Sequence, residues 1–288
     1  GPLTLKLAGV GLQYNLSLDG GPSVTWKSAP GREERLVESP SPGPHVLRLT
    51  RRSDGNMGIS SFGGIVLGQG TRVLDPAPRP ARRLEFFGDS FTAGYGVEGT
   101  SLACTDTPNY HNADLAFGSL LGRRLGCDVR LTAISGKGLV RNYGDKKTAS
   151  ADPFGLFAFR PCMGLDEPVT SDGWIPDAVV VCLGGNDFST RPWPEDGKFL
   201  SAYRDLVQAI RTRYPRAGLL LLTDTGEAPA QDALAQVVKE ARLGGPVETN
   251  ALPPLDRSLL GCDWHPNIQG QELIAQALEA PLRKLLGI

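Results

Sequence analysis

Histidine is scarce in this chain of 288 residues: only His45, His111 and His265 are present. Chemistry that needs an imidazole must therefore use one of three positions. An excess of one charge is also missing, with Lys plus Arg at 30 and Asp plus Glu at 31. That balance removes the electrostatic basis for a nucleic-acid partner or an anionic membrane surface. No apolar run approaches the ~20 residues a helix needs to cross a bilayer, so no membrane span is expected. The five cysteines, Cys104, Cys127, Cys162, Cys182 and Cys262, contain no C-x-x-C pair, which argues against a structural zinc site. Cys182 lies in the apolar run 179–183 and reads as a buried free thiol. Cys104 and Cys162 lie in polar stretches rich in Pro and Gly, where a disulfide between them is one expectation; the odd count leaves at least one thiol unpaired within the chain. Internal repeats are absent. The chain opens Gly1-Pro2, which reads as a protease-cleavage scar, and no signal peptide follows.

What is present divides into two patterns. From residue 3 to about 74 the segments are short and alternating. Tyr14, Leu16 and Leu18 alternate with Asn15 and Ser17 before Asp19-Gly20-Gly21 stops the run. Val24 and Trp26 begin another segment, and 45–51 and 62–67 read as further strands separated by Ser53-Asp54-Gly55-Asn56. Period-two alternation with frequent turns predicts an antiparallel sheet or sandwich, and no helical period of useful length is found here. Residues 75–83, Asp-Pro-Ala-Pro-Arg-Pro-Ala-Arg-Arg, favour an extended polyproline II spacer. The spacer suggests an accessory domain over 1–76, a linker over 77–83 and a second domain over 84–288.

After the spacer, apolar strands (84–87, 129–134, 178–183, 219–222) alternate with helical patterns. The helices are expected over 113–125 with Asn112 as cap, 199–214, 230–243 and 268–286, the last kinked or restarted at Pro281. This alternation implies an α/β fold, a parallel sheet with helices on both sides. The near-continuous run 178–183 fits a strand covered on both faces. Such sheets place their sites beyond the carboxyl ends of the strands. Residues 141–176 show weak periodicity, and a stretch that long is expected to be functional or insertional.

Three motifs follow predicted strands. In Phe86-Phe87-Gly88-Asp89-Ser90-Phe91 a serine sits at the carboxyl edge of the sheet. It is not a G-x-S-x-G elbow, because residue 92 is Thr, and an ordinary turn is the competing interpretation. A serine nucleophile needs a base. His45 opens a strand in the β-rich region and reads as a surface or edge residue. His111 precedes a helix and reads as solvated or capping. His265 lies in Gly261-Cys262-Asp263-Trp264-His265-Pro266-Asn267, with an acid two residues before the imidazole. In an extended segment these side chains share a side, so Asp263 can hold Nδ1 and leave Nε2 for Ser90; Asp263 and Asn267 can equally cap the helix that follows. The second motif, Ala133-Ile134-Ser135-Gly136-Lys137-Gly138, lets backbone N–H groups approach a ligand. The third, Leu183-Gly184-Gly185-Asn186-Asp187-Phe188, offers a side-chain amide as hydrogen-bond donor. Together they supply a nucleophile, base, orienter and donors for acyl transfer.

Gly-Asp-Ser at 88–90, Ser-Gly at 135–136, Gly-Gly-Asn-Asp at 184–187 and Asp-x-His-Pro at 263–266 occur in an order that resembles the SGNH, or GDSL, hydrolase superfamily. A narrower resemblance runs over nearly the whole chain. The β-rich start, the Pro-rich junction, Ser-Gly-Lys-Gly-Leu-Val-Arg-Asn-Tyr at 135–143, Asn-Asp-Phe-Ser at 186–189 and Cys-Asp-Trp-His-Pro-Asn at 262–267 look like carbohydrate esterase family 2. That resemblance implies a jelly-roll-like β-sandwich ahead of a flavodoxin-like three-layer α/β/α hydrolase domain. It implies a serine esterase that removes acetyl groups from plant polysaccharide such as glucomannan or xylan, with no metal or cofactor, in a secreted or periplasmic setting. Ser90 would be the nucleophile and His265 the base. The N–H groups of Ser90 and Gly136 and the side chain of Asn186 would form the oxyanion hole. The superfamily usually places its acid three residues before the histidine, where this chain has Cys262; Asp263 is the natural substitute, and some members use a backbone carbonyl instead. Trp193, in a loop just beyond Asn186, suggests either a stacking surface for a pyranose or a hydrophobic lid, and Arg141 and Asn142 are expected to line the cleft. Asp89 and Asp187 read as braces for their loops. Two other functions fit the pattern: a hydrolase for lipid, acyl-ester or thioester substrates, and a carbohydrate-binding protein whose esterase domain is idle.

Overall fold

The computed structural model describes residues 2–38, 41–160, 162–165 and 173–288. Gly1 and part of the weakly periodic stretch 141–176, namely 161 and 166–172, lie outside the described residues. The first half contains β1 (Leu3–Gly9), β2 (Gln13–Leu18), β3 (Val24–Lys27), β4 (Gly31–Val37), β5 (Leu47–Arg51) and β6 (Ser60–Leu67). They form two antiparallel three-stranded sheets, in the orders β4-β1-β6 and β3-β2-β5. Between them lies a small core of Leu5, Leu7, Leu12, Tyr14, Leu16 and Trp26. Strand β4 has no counterpart in the sequence reading. Its outward residues are Arg32, Glu34 and Leu36, and the charges that suit a sheet edge hide the strand's period from an apolar pattern. Residues 71–80 carry no regular element.

Among the described residues the second half contains five strands, β7 (Arg82–Gly88), β8 (Cys127–Ala133), β9 (Ala178–Cys182), β10 (Gly218–Leu222) and β11 (Val247–Thr249). They form one parallel sheet in the order β11-β10-β9-β7-β8. Among the described residues six α-helices accompany it: α1 (Ser90–Ala93), α2 (Phe117–Leu125), α3 (Gly185–Phe188), α4 (Lys198–Arg213), α5 (Ala228–Ala241) and α6 (Ile268–Leu286). Alternation along the strands divides the core in two. Phe87, Val179, Val181, Leu219 and Leu221 pack with α4 and α5. Phe86, Val180, Leu220 and Leu222 pack with Phe117 and Leu121 of α2 and Ile274, Leu278 and Leu282 of α6. The fold is therefore three-layered, and the carboxyl ends of β7, β8 and β9 open onto one edge.

Three local differences from the sequence pattern have physical causes. Residues 113–115 form a separate single turn, capped by Asn112 Oδ1, before Ala116 turns extended and α2 begins. Strand β11, three residues long, is too short to show a period. Helix α6 neither stops nor restarts at Pro281. Pro281 lacks the N–H that would bond the Ala277 carbonyl, and the Asn250 side chain donates to that carbonyl instead at 2.8 Å.

The two halves meet through polar groups, of which Arg52, Asn15 and Asn112 are buried. The Arg52 guanidinium donates to Asn15 Oδ1 and Thr25 Oγ1 within its own half and to Glu98 across the boundary. Asn15 and Asn112 are joined at 2.9 Å, and Asn112 donates to Glu98 at 2.8 Å. Arg48 grips Asp114 with two bonds of 2.6 and 2.7 Å.

Candidate active site

Strand β7 ends at Gly88, and the chain turns at once into α1, whose cap is Asp89. The turn places Ser90 at the sheet edge with 7% of its surface exposed. Its hydroxyl donates to Nε2 of His265 at 2.8 Å, although the two residues are 175 apart in sequence. His265 Nδ1 lies 2.9 Å from the main-chain carbonyl of Asp263. A carbonyl only accepts, so Nδ1 carries the proton and Nε2 is the free acceptor. Burial lowers the His265 pKa, against opposing contributions from hydrogen bonds to the backbone at 262–263. The imidazole is thus held neutral, in the tautomer that can receive a hydroxyl proton.

The partner of Nδ1 corrects one sequence expectation. The carboxylate of Asp263 does not face the imidazole. It accepts instead from the Tyr95 hydroxyl at 2.8 Å and from Thr107 at 3.3 Å. The extended backbone assumed for the i, i+2 argument is absent: Asp263 has φ 51° and Trp264 φ 65°. Two successive non-glycine residues in the left-handed region turn the peptide so that its carbonyl reaches the ring. The loop is pinned by Asp263 N–H on the Leu102 carbonyl at 2.9 Å and by Gly261 N–H on the His265 carbonyl at 2.7 Å. A disulfide joins Cys104 to Cys262, replacing the expected pairing of Cys104 with Cys162, which is a free thiol.

Two backbone donors face no acceptor among the described residues, the N–H groups of Ser90 and Gly136. The third expected donor, Asn186, stands at the start of α3 with Nδ2 2.8 Å from Asp89 Oδ2 and 3.0 Å from the Lys137 carbonyl. Its two hydrogens are engaged at rest, so donation to a developing oxyanion requires it to release one of them. Asp89 is wholly buried, and burial together with the nearby Asp224 carboxylate raises its pKa well above the ordinary range. Asp224 in turn accepts the Gly185 N–H at 2.6 Å. Asp187 accepts three successive amides, Leu139, Val140 and Arg141, at 2.9, 2.7 and 2.9 Å. Its burial outweighs these bonds and lifts its pKa to about 6. Both acids tie loops together.

Other expected site residues lie elsewhere. The Arg141 side chain is buried and donates to the Asp145 carbonyl and Thr190, so it does not line a cleft. Asn142 accepts from Gly138 N–H and donates to Asp152 at 2.7 Å, bracing its own loop. Trp193 packs edge-on to Phe188 at 5.5 Å, with the Arg191 guanidinium over its ring at 3.6 Å. These contacts give Trp193 a packing role rather than an open stacking face. His111, expected to be solvated or capping, is buried, and its Nδ1 accepts the Gly96 N–H at 2.9 Å. Its ring and that of His265 flank Tyr95, with centroids 4.3 and 4.4 Å away.

Sequence reasoning passed over Tyr95, Tyr143 and Trp264. Tyr143 donates its N–H to the Gly136 carbonyl at 2.9 Å, and Trp264 immediately precedes His265. They are 65% and 63% exposed, high values for large aromatics. Both stood inside quoted motifs; only their exposure marks them.

The chain matches two family models. The GDSL-like Lipase/Acylhydrolase family covers residues 86–273, and Carbohydrate esterase 2 N-terminal covers residues 3–78. The chain is 31% identical over 286 residues to the cellulase/esterase CelE of Acetivibrio thermocellus, which covers 95% of this chain and 34% of that protein. An acetylxylan esterase / glucomannan deacetylase of Cellvibrio japonicus is 31% identical over 277 residues, 90% of this chain and 74% of the relative. The chain thus spans about a third of the first relative's length and about three quarters of the second's. Among solved structures, a family two carbohydrate esterase from Clostridium thermocellum in complex with cellohexaose superposes with a TM-score of 0.88 at 28% identity, covering 99% of this chain and 90% of that one. By fold, sequence and domain order, the chain belongs to the GDSL-like lipase/acylhydrolase family and, within it, to carbohydrate esterase family 2.

Proposed function

We propose that this protein is a serine esterase that removes O-acetyl groups from carbohydrate, with acetylated xylan or glucomannan as the substrate class. The observation that carries this is the Ser90 hydroxyl 2.8 Å from a His265 Nε2 whose opposite nitrogen is held by a carbonyl. The relatives' names supply the acyl group and the sugar. Ser90 Oγ attacks the acetyl carbonyl as its proton passes to His265 Nε2. The oxyanion receives the N–H groups of Ser90 and Gly136, and Asn186 Nδ2 joins them by giving up the Lys137 carbonyl, the longer of its two contacts. Collapse transfers the proton from Nε2 to the departing sugar oxygen and leaves acetyl-Ser90. Water, deprotonated by His265, then releases acetate and restores the hydroxyl. The Asp263 carbonyl keeps Nδ1–H oriented and accepts from it while the ring is charged. Trp264 and Tyr143 offer exposed ring faces for a sugar beside the acetyl site. A polymeric substrate places the enzyme in a secreted or periplasmic setting; among the described residues no helix is long and apolar enough to cross a membrane.

The test is release of p-nitrophenol from p-nitrophenyl acetate, and of acetate from acetylated xylan and glucomannan, by the wild type and Ser90→Ala. Turnover is expected to fall by about 10⁴-fold or more in the variant. Equal turnover would overturn the assignment of Ser90, and a marked preference for long acyl chains would overturn the carbohydrate assignment.

A further inference from the structure

We infer that Asp54 and Asn56, in the β-rich half of the chain, are positioning residues that aim the Gly136 N–H at the oxyanion; this rests on the esterase function proposed above. Asp54 follows β5 and is 3% exposed. Its carboxylate accepts from three groups: the Asn56 N–H at 3.2 Å, the Ser135 N–H at 3.3 Å and the Ser135 hydroxyl. Asn56 Nδ2 donates to the Ser135 carbonyl at 3.3 Å. Ser135 is therefore held at its amide, its hydroxyl and its carbonyl, each time by the turn at 54–56.

The carbonyl contact matters most for chemistry. The Ser135 carbonyl and the Gly136 N–H belong to one planar trans peptide and point in opposite directions. Fixing the carbonyl on Asn56 directs the N–H away from Asn56, and among the described residues that N–H meets no acceptor. Without the clamp this peptide is free to turn over. Gly136 has φ 79°, and a glycine there tolerates either orientation of the preceding peptide plane. A flipped peptide would present a carbonyl oxygen where a donor is needed and would repel the oxyanion.

The turn that does the clamping is anchored in the first half. Arg51, in β5, donates to the Asp54 carbonyl at 2.6 Å, to Ser53 at 3.0 Å and to Gly58 at 3.0 Å. A Cβ at Gly55 would stand 3.1 Å from the Ala133 carbonyl, so the turn packs directly on the end of β8. The β-rich half thus builds part of the catalytic edge of the parallel sheet.

The experiment uses the full chain and measures kcat and KM for p-nitrophenyl acetate. Thermal unfolding and the affinity for methylboronic acid, which forms a tetrahedral adduct on a serine nucleophile, are measured alongside. Asp54→Ala is expected to lower kcat about 10- to 30-fold with KM within about twofold, part of the 10²–10³ that loss of a whole donor costs. Its boronic-acid affinity is expected to weaken by the same factor. Asp54→Asn keeps an oxygen for the Ser135 amide and is expected to recover most of the rate. Asn56→Ala, at an exposed contact that leaves the fold intact, is expected to lose about threefold in both measures. Arg48→Ala breaks the Arg48–Asp114 ion pair across the same boundary without touching Ser135, and should leave kcat unchanged. A folded Asp54→Ala with wild-type kcat and boronate affinity would overturn the inference. An equal loss in Arg48→Ala, which would indicate general loosening, would overturn it too. If Asp54→Ala does not fold, wild-type values for Asn56→Ala have the same effect. A wild type with no turnover dependent on Ser90 overturns the esterase function itself, and the inference with it.

Discussion

The central strands of the parallel sheet and the outer strands of the antiparallel half are buried in opposite ways. Strands β9 and β10 are buried at every residue, whereas β4 and β6 are exposed or half-exposed throughout. A parallel strand covered by helices on both faces has little freedom, so the loops at its carboxyl end inherit a rigid base. Ser90 and Asn186 stand on such loops, after β7 and β9, whereas Gly136 follows the half-exposed edge strand β8. Among the described residues the antiparallel half has a core of six buried apolar side chains. Its value to the site lies in the polar turn that reaches Ser135 and in the Arg52–Glu98–Asn112 cluster at the boundary. One half carries Ser90, His265 and Asn186, and the other bonds to the loop that begins at Ser135.

A similar contrast exists within the site. The His265 loop is held by a disulfide and by two left-handed residues, while the Asn186 side chain depends on hydrogen bonds it must partly exchange. The largest effect is expected where an exchangeable donor is removed: Asn186→Ala should lower kcat by about 10²–10³ while KM changes little, seen in steady-state kinetics with p-nitrophenyl acetate. Loss limited to KM would instead place Asn186 in substrate binding. Next in size is the disulfide. Cys104→Ser should lower stability by about 2–4 kcal/mol in denaturant melts and slow turnover about tenfold, because the loop carrying His265 loses its tie. A destabilised variant with unaltered kcat would show that the left-handed turn alone holds the imidazole. Smaller still is Asp263→Asn. The backbone carbonyl, not the carboxylate, faces Nδ1, so kcat should fall less than tenfold, where loss of an orienting carboxylate costs about 10⁴. A fall of that larger size would mean that the carboxylate turns to the imidazole during the reaction. The mildest prediction concerns pH. Burial lowers the His265 pKa, and only the neutral ring can accept the Ser90 proton. The pH profile of kcat/KM should therefore rise through a midpoint below 6.5 and level off above it. A midpoint above 6.5 would require the carboxylate to stabilise the charged ring.

Much of the catalytic half was legible before the structure, because periodicity is a local property. The apolar run 178–183 and the helical spacing of 199–214 and 268–286 reappear as β9, α4 and α6 within a few residues. Two of the strands missed, β4 and β11, are edge strands, one charged on its outer face and one three residues long; β1, central in its sheet, lay in a stretch read only as short alternating segments. The site divides along the same line. With three histidines in the chain, the choice of His265 followed from its own motif, and the structure places it on Ser90. The partner of Nδ1 did not follow. The argument from side-chain alternation presumes an extended backbone, and no residue type at 263–264 announces a left-handed one.

By itself, then, the sequence determined the division into a β-rich half and a half of alternating strands and helices, the position of a serine at a strand end and the histidine available to it. All of these follow from local periodicity, turn chemistry and the scarcity of imidazoles. The tertiary structure alone decided which cysteine meets Cys104, that a carbonyl orients His265, that Arg141 is buried on Asp145 and Thr190 while Trp193 packs on Phe188, and that Asp54 and Asn56 reach Ser135. Most of these are contacts between residues distant in the chain or dihedrals outside the common wells. Both depend on how complete elements pack, which residue identity at one position does not encode.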